Sequence, residues 1–231
     1  MIKAVLFDMF ETLVTLFEGR TYFGENIASD VGADPQEFRK EWHAIEHDRS
    51  TGVLTIEEGL ELVLKKLGIY SEEKVRLAAA KRREALGDTF NAIPDDSLRL
   101  LEKLKEEGFK TGLITNTFSD ERDMIRACPL FGYFDEAMIS FEQGICKPDP
   151  EIYKRMMTSL NVSAEECLYV GDGGSKELYA ARELGMSAVQ AAWFREMAFE
   201  PHVPCYRLDE FLQAFTQLEI LDIIGRINDE K

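Results

Sequence analysis

The sequence predicts an α/β fold in which a parallel sheet is covered by helices on both faces, with a smaller all-helical block inserted after the first strand. Short apolar runs of the buried-strand type recur within residues 1–15 and 91–231, and amphipathic stretches of helical period separate them. Residues 16–90 carry helical pattern alone. Strands alternating with single helices give a doubly wound sheet, and the interruption gives a second domain.

The runs fall at residues 4–7, 111–114, 137–140, 167–170 and 187–190. Between them, residues 97–107 place Leu98, Leu101 and Leu104 on one face and end at Gly108. Residues 150–160 and 177–184 repeat the pattern, the latter ending at Gly185. In the insert, helices are expected over 34–47 and 56–67, with Asp34-Pro35 as N-cap and first-turn proline. A further helix begins at Ser71 with Glu73 and Lys74, and residues 91–96, which include Pro94, form the return hinge.

With 231 residues, 45% of them hydrophobic, the chain can bury a sizeable core. Lys and Arg total 27 against 43 Asp and Glu, a net charge of -16 that repels nucleic-acid backbones and anionic membranes. The expected partner is therefore a small molecule. An anionic one would need a local positive charge or a metal to enter against this field. Cys128, Cys146, Cys167 and Cys205 stand singly, as reduced packing thiols rather than a zinc ribbon or disulfide framework. No signal-peptide pattern and no apolar run of roughly 18 residues is found, so a cytoplasmic location is expected.

Ligands of open parallel sheets bind beyond the carboxyl ends of the strands. The first strand ends in Phe7-Asp8-Met9-Phe10-Glu11, and the second in Ile114-Thr115-Asn116. Lys147-Pro148-Asp149-Pro150 follows the third, and Gly171-Asp172-Gly173-Gly174-Ser175-Lys176-Glu177 follows the fourth. Singly each is an ordinary turn or cap; in this order and spacing they form a pattern.

That pattern resembles the haloacid dehalogenase-like superfamily, with its Asp-bearing first strand, Ser or Thr ending the second, a Lys, and a Gly-Asp followed by a second acid. The resemblance covers residues 1–15 and 91–215 and implies a three-layer Rossmann-like core with a helical C1-type cap. It implies Mg²⁺-dependent phosphatase chemistry with Asp8 as nucleophile, forming an aspartyl phosphate that water hydrolyses. Mg²⁺ would be held by Asp8, the backbone carbonyl of Phe10 and Asp172, with Glu177 ordering a bound water. Lys147 would bridge Asp8 and the phosphate, while the Thr115 hydroxyl and the Asn116 backbone amide bind phosphate oxygens. Asp8, Asp172 and Glu177 bring three negative charges and Lys147 one positive, and a divalent ion cancels the remaining two.

The sequence departs from the family at Phe10, where phosphatases usually carry a second Asp that protonates the leaving group. General acid-base help is worth roughly 10²- to 10⁴-fold, so a slow phosphatase or another acid is implied. Glu11 or a cap residue is one source; alternatively Glu11 faces solvent at the start of the cap linker. Haloacid dehalogenases also carry an aromatic at this position but lack the Gly-Asp of the fourth motif, which is intact here. Phosphonate hydrolases use a cap lysine, for which Lys40, Lys65 and Lys66 are available. A catalytically weak or silent phosphate-binding module is the remaining alternative.

Arg20, Tyr22, Trp42 and Arg49 are the candidates for substrate recognition from the insert, Arg20 and Arg49 as anion-binding groups. His43-Ala44-Ile45-Glu46-His47 spells an inverted zinc-protease motif, with an exposed charged helix as the plainer expectation.

Overall fold

The computed structural model describes residues 1–197 and 207–229. Six parallel strands form one sheet in the order β3-β2-β1-β4-β5-β6: β1 Ala4–Phe7, β2 Lys110–Thr115, β3 Glu136–Ile139, β4 Cys167–Gly171, β5 Ser187–Ala191 and β6 Leu212–Ala214. The register pairs Phe7 with Leu113 of β2 and with Val170 of β4, so β1 lies in the middle of the sheet.

Both faces of the sheet are covered, which is why its strands read as unbroken apolar runs. Val5 and Phe7 face one core with Leu100, Leu104 and Ile223. Ala4 and Leu6 face the other with Ile152, Met156 and Leu178. The helices over these faces are α6 (Asp95–Glu106), α7 (Ser119–Ala127), α8 (Ser140–Gln143), α9 (Pro150–Leu160), α10 (Glu177–Glu183) and α11 (Glu219–Asp229). α9 starts where Asp149 accepts a hydrogen bond from Glu151 N at 2.9 Å ahead of Pro150.

The helices before them, here numbered from the N-terminus, are α1 (Gly24–Val31), α2 (Pro35–Ala44), α3 (Glu46–Ser50), α4 (Ile56–Lys66) and α5 (Glu72–Asn91). They build a core of their own around Ile27, Phe38, Ile56, Leu60, Leu64 and Ala78. Asp34 caps α2 by accepting from Gln36 N and Glu37 N, and Thr55 and Glu58 form a capping box on α4. Each such cap is worth about 0.5–2 kcal/mol.

The differences from expectation are local. The helix expected over 34–47 is two, because Ile45 leaves the helical region at φ -108°, ψ 13°. β3 ends at Ile139, and Ser140, expected in the strand, opens α8. β6 and α11 were not anticipated, β6 being only three residues long with Leu212 exposed. The thiols of Cys128, Cys146 and Cys167 are free, and Cys205 lies outside the described residues. Among the described residues no helix is long and apolar enough to cross a membrane.

Candidate active site

The parallel register sends the ends of β1, β2 and β4 to one edge of the sheet. Asp8 N donates to the Val170 carbonyl at 3.0 Å, so the residue that ends the β1 run is anchored to β4. Asp172 follows β4 directly, and Glu177 opens α10 after a 3-10 turn at Gly174–Lys176. The loop between α8 and α9 brings Lys147 to the same place.

Lys147 Nζ lies 2.7 Å from Asp8 Oδ1 and 2.5 Å from Glu177 Oε2. Carboxylate oxygens of Asp8, Asp172 and Glu177 all lie within 4.8 Å of one another, and all three residues are buried. Burial disfavours the Lys147 ammonium, yet Asp8 and Glu177 outweigh it and raise its pKa. Burial together with the charge of Asp8 pushes the Asp172 carboxyl up to about 6. Burial also pushes Glu177 up, against the pull of Lys147. Three carboxylates facing one ammonium leave two negative charges out of water, a balance that a divalent cation would close.

Several contacts hold this cluster in shape. Glu177 accepts from Tyr169 OH at 2.8 Å and from Gly173 N at 3.1 Å, and Gly174 N donates to Asp172 Oδ1 at 3.0 Å. A Cβ at Gly171 would lie 2.0 Å from Glu177 Oε1, so the strand must end in glycine for Glu177 to fold back over it. At Gly173, φ of 105° sets the turn that aims Asp172. Gly174, in contrast, needs no left-handed backbone.

Asn116 uses its side chain on the lysine loop: Nδ2 donates to the Lys147 carbonyl at 3.0 Å and Oδ1 accepts from Lys147 N at 2.8 Å. Thr115 is fully buried, and its hydroxyl has no hydrogen-bond partner. The hydroxyls of Thr12 and Thr117 are in the same position.

At Phe10, the ring packs edge-on against Phe90, with centroids 6.1 Å apart, at the junction of sheet and helical block. The expectation that Glu11 faces solvent is overturned: it is 2% exposed, at φ 55°, and accepts from Thr15 Oγ1 at 2.8 Å and Leu16 N at 2.9 Å. Those bonds stitch the turn after β1, which the Glu letter alone does not reveal. Burial is the main cause that pushes its carboxyl up to about 7.

The structure separates the recognition candidates of the insert. Arg20 lies on the exposed face, 2.8 Å from Glu84 and 3.6 Å from Asp88. Tyr22 OH donates to Asp30 at 2.7 Å. Arg49 is buried, with its guanidinium carbon 3.7 Å from the Trp42 ring centroid and 4.1 Å from that of Phe118. Lys65 and Lys66 pair with Glu61 and Glu41 at the surface, whereas Lys40 lines a cavity of 610 Å³. The helix break at Ile45 takes His43 and His47 off a common helical face, and exposed His43 pairs with Glu46 at 2.6 Å.

Sequence reasoning missed two buried features. Tyr169 reads as one more apolar strand residue, though its hydroxyl reaches Glu177. Arg82 reads as a surface charge on a long helix, yet its Nε lies 2.7 Å from Asp120 on α7, and it also pairs with Glu121. Ile56 N donates to Ser119 Oγ at 2.9 Å beside them, so α4 and α5 are both tied to the start of α7.

Comparison with known proteins places this geometry in context. The model of the haloacid dehalogenase-like hydrolase family matches residues 2–185. A glyceraldehyde 3-phosphate phosphatase from Methanopyrus kandleri is 28% identical over 246 residues, covering 98% of this chain and 99% of that one. The fold is similar to 2-haloacid dehalogenase from Pseudomonas syringae pv. Tomato, with a TM-score of 0.69, 24% identity, and 98% and 99% of the two chains covered. It is also similar to a family enzyme of Bacteroides thetaiotaomicron solved with magnesium and inorganic phosphate, with a TM-score of 0.59, 21% identity, and 90% and 100% covered. With the family model spanning most of its length and the four motifs at the ends of a parallel sheet, this chain belongs to the haloacid dehalogenase-like hydrolases.

Proposed function

We propose that the chain is a Mg²⁺-dependent phosphatase acting on a small phosphorylated metabolite, with residues 1–15 and 91–231 as the catalytic core and 16–90 as a cap. One observation carries this reading: three buried carboxylates share a space of 4.8 Å with a single lysine. Such an all-oxygen, doubly negative donor set suits Mg²⁺, which prefers hard oxygen ligands and completes its shell with water and substrate phosphate. Asp8, the Phe10 carbonyl and Asp172 would hold the ion, with Glu177 ordering a bound water. When bound, Mg²⁺ supplies charge neutralisation at the phosphoryl oxygens.

The protein's own groups do the rest. Asp8 attacks phosphorus as the ester P–O bond breaks, and the leaving alkoxide takes its proton from water; a second water then cleaves the aspartyl phosphate, giving inorganic phosphate and free Asp8. Lys147, kept charged by its two acids, orients Asp8 and meets the incoming phosphate. The unpartnered Thr115 hydroxyl and the Asn116 backbone amide take phosphate oxygens. With Phe10 in the general-acid position, turnover falls by roughly 10²- to 10⁴-fold relative to an enzyme with a carboxyl there.

The test is phosphate release from a panel of phosphometabolites, glyceraldehyde 3-phosphate included, with and without Mg²⁺. Release that requires Mg²⁺ and disappears in Asp8→Asn is the expected result. Halide release from 2-haloacids without metal, or no Asp8-dependent turnover on any substrate, would overturn it.

A further inference from the structure

Arg49 presents a problem in the helical block that the site at the strand ends does not resolve. It is 2% exposed, and its Nη2 donates to the Trp42 carbonyl at 2.9 Å. Nε and Nη1 are buried and meet no acceptor. The rings of Trp42 and Phe118 lie against the guanidinium and offset part of its lost hydration through their faces. Ring faces do not, however, serve the N–H groups that point outward in the guanidinium plane, and these need an oxygen.

Arg49 lines the cavity of 610 Å³, with Arg39, Lys40 and Arg82 also in its wall. The acids of that wall are already engaged, Glu25 facing Arg39 at 4.0 Å and Glu46 facing His43. Arg82 is matched by Asp120 and Glu121. Among the described residues Arg49 makes no direct ion pair, although the charges of Glu121, Glu46 and Asp120 bear on it, so what it lacks beside the cavity is an acceptor for two of its N–H groups. Phe118, which lines the same cavity, stands two residues beyond Asn116, a spacing of about 7 Å along extended chain. Through Phe118 the end of β2 borders this cavity, and the far end of a small phosphate ester held at Thr115 and Asn116 would extend toward it.

We propose that Arg49 is a specificity-determining residue that binds a carboxylate at the end of the substrate remote from its phosphoryl group. The preferred substrates are then small phosphomonoesters bearing a carboxylate. A flat, singly charged carboxylate matches the fork of a guanidinium and slides between aromatic rings, whereas a tetrahedral phosphate demands more room. This assignment rests on the phosphatase reading for the position of the phosphoryl group.

The experiment measures binding rather than turnover. Phosphoglycolate and ethyl phosphate, alike except for the carboxylate, are titrated calorimetrically into the full-length Asp8→Asn chain with Mg²⁺. Phosphoglycolate is expected to bind on the order of 10- to 100-fold more tightly. Adding Arg49→Met, which keeps apolar bulk between the rings, is expected to erase the difference, and Arg49→Lys to restore part of it. Should Arg49→Met not fold by circular dichroism, Arg49→Lys carries the same comparison, with a reduced preference expected. Equal affinities in the Asp8→Asn chain, no measurable binding of phosphoglycolate, or a preference untouched by both variants overturns the assignment. Failure of the phosphatase reading shows separately, as no phosphate release from either probe by the wild-type chain.

Discussion

Asn116 and Lys147 exchange two hydrogen bonds through the Asn116 amide, at 3.0 Å to the Lys147 carbonyl and 2.8 Å from its N–H. A side chain at the end of β2 thus imitates a strand neighbour and fixes the backbone from which the lysine reaches Asp8. Asn116→Asp keeps the shape but turns the donor into an oxygen facing a carbonyl. The expected result is a kcat lower by about 10- to 100-fold with the fold intact, read by steady-state kinetics beside circular dichroism.

Arg82 of α5 closes the helical block onto α7 through Asp120 and Glu121. In Arg82→Met both carboxylates stay buried without their cation, a loss of about 3–5 kcal/mol. Urea unfolding followed by fluorescence measures it, and a change below 1 kcal/mol would show that the pair contributes little.

Glu11 makes stability depend on pH. Its folded pKa of about 7 lies above the ordinary carboxylate value of 4.5, so the folded state binds the proton more tightly than the unfolded one. Stability from this group is complete below about pH 4.5 and is lost as pH rises through 7, by up to roughly 3 kcal/mol. In Glu11→Gln the profile of melting temperature against pH between 4.5 and 7 is expected to flatten.

On the proposed Mg²⁺ reading, binding would carry a proton cost at Asp172, whose carboxyl burial and the charge of Asp8 push up to about 6. Affinity for Mg²⁺ is therefore expected to weaken as pH falls below 6, because the ligand must first lose its proton. At 100 times its Kd the ion adds about 2.7 kcal/mol of stability, visible as a raised melting temperature that EDTA reverses. Asp172→Asn is expected to lose this response.

What the sequence disclosed follows the physics of burial. β1 to β5 were legible because strands buried on both faces are apolar throughout, while β6, with Leu212 exposed at the sheet edge, offers three residues and no such run. Asp8, Lys147, Asp172 and Glu177 were legible as a group because polar letters at strand ends stand out against those runs, and the parallel register gathers such ends. Arg49 stood out by its residue type, but its burial, like that of Arg82, was hidden for the opposite reason. A charged residue on a helix reads as solvated, and only packing against Phe118, Asp120 and Glu121 shows otherwise. Tyr169 hid inside an apolar run, since periodicity registers the ring and not the hydroxyl at its tip.

The closeness of Gly171 to Glu177 gives one position outsized leverage over everything beside it. A methyl group there would compete for the very volume that the carboxylate oxygen occupies, 2.0 Å away. Gly171→Ala should thus evict an acid six residues further along the chain, loosen the lysine that leans on it, and silence the enzyme while its outer face stays the same. In a library randomised at this codon and selected for turnover, one letter is expected to survive.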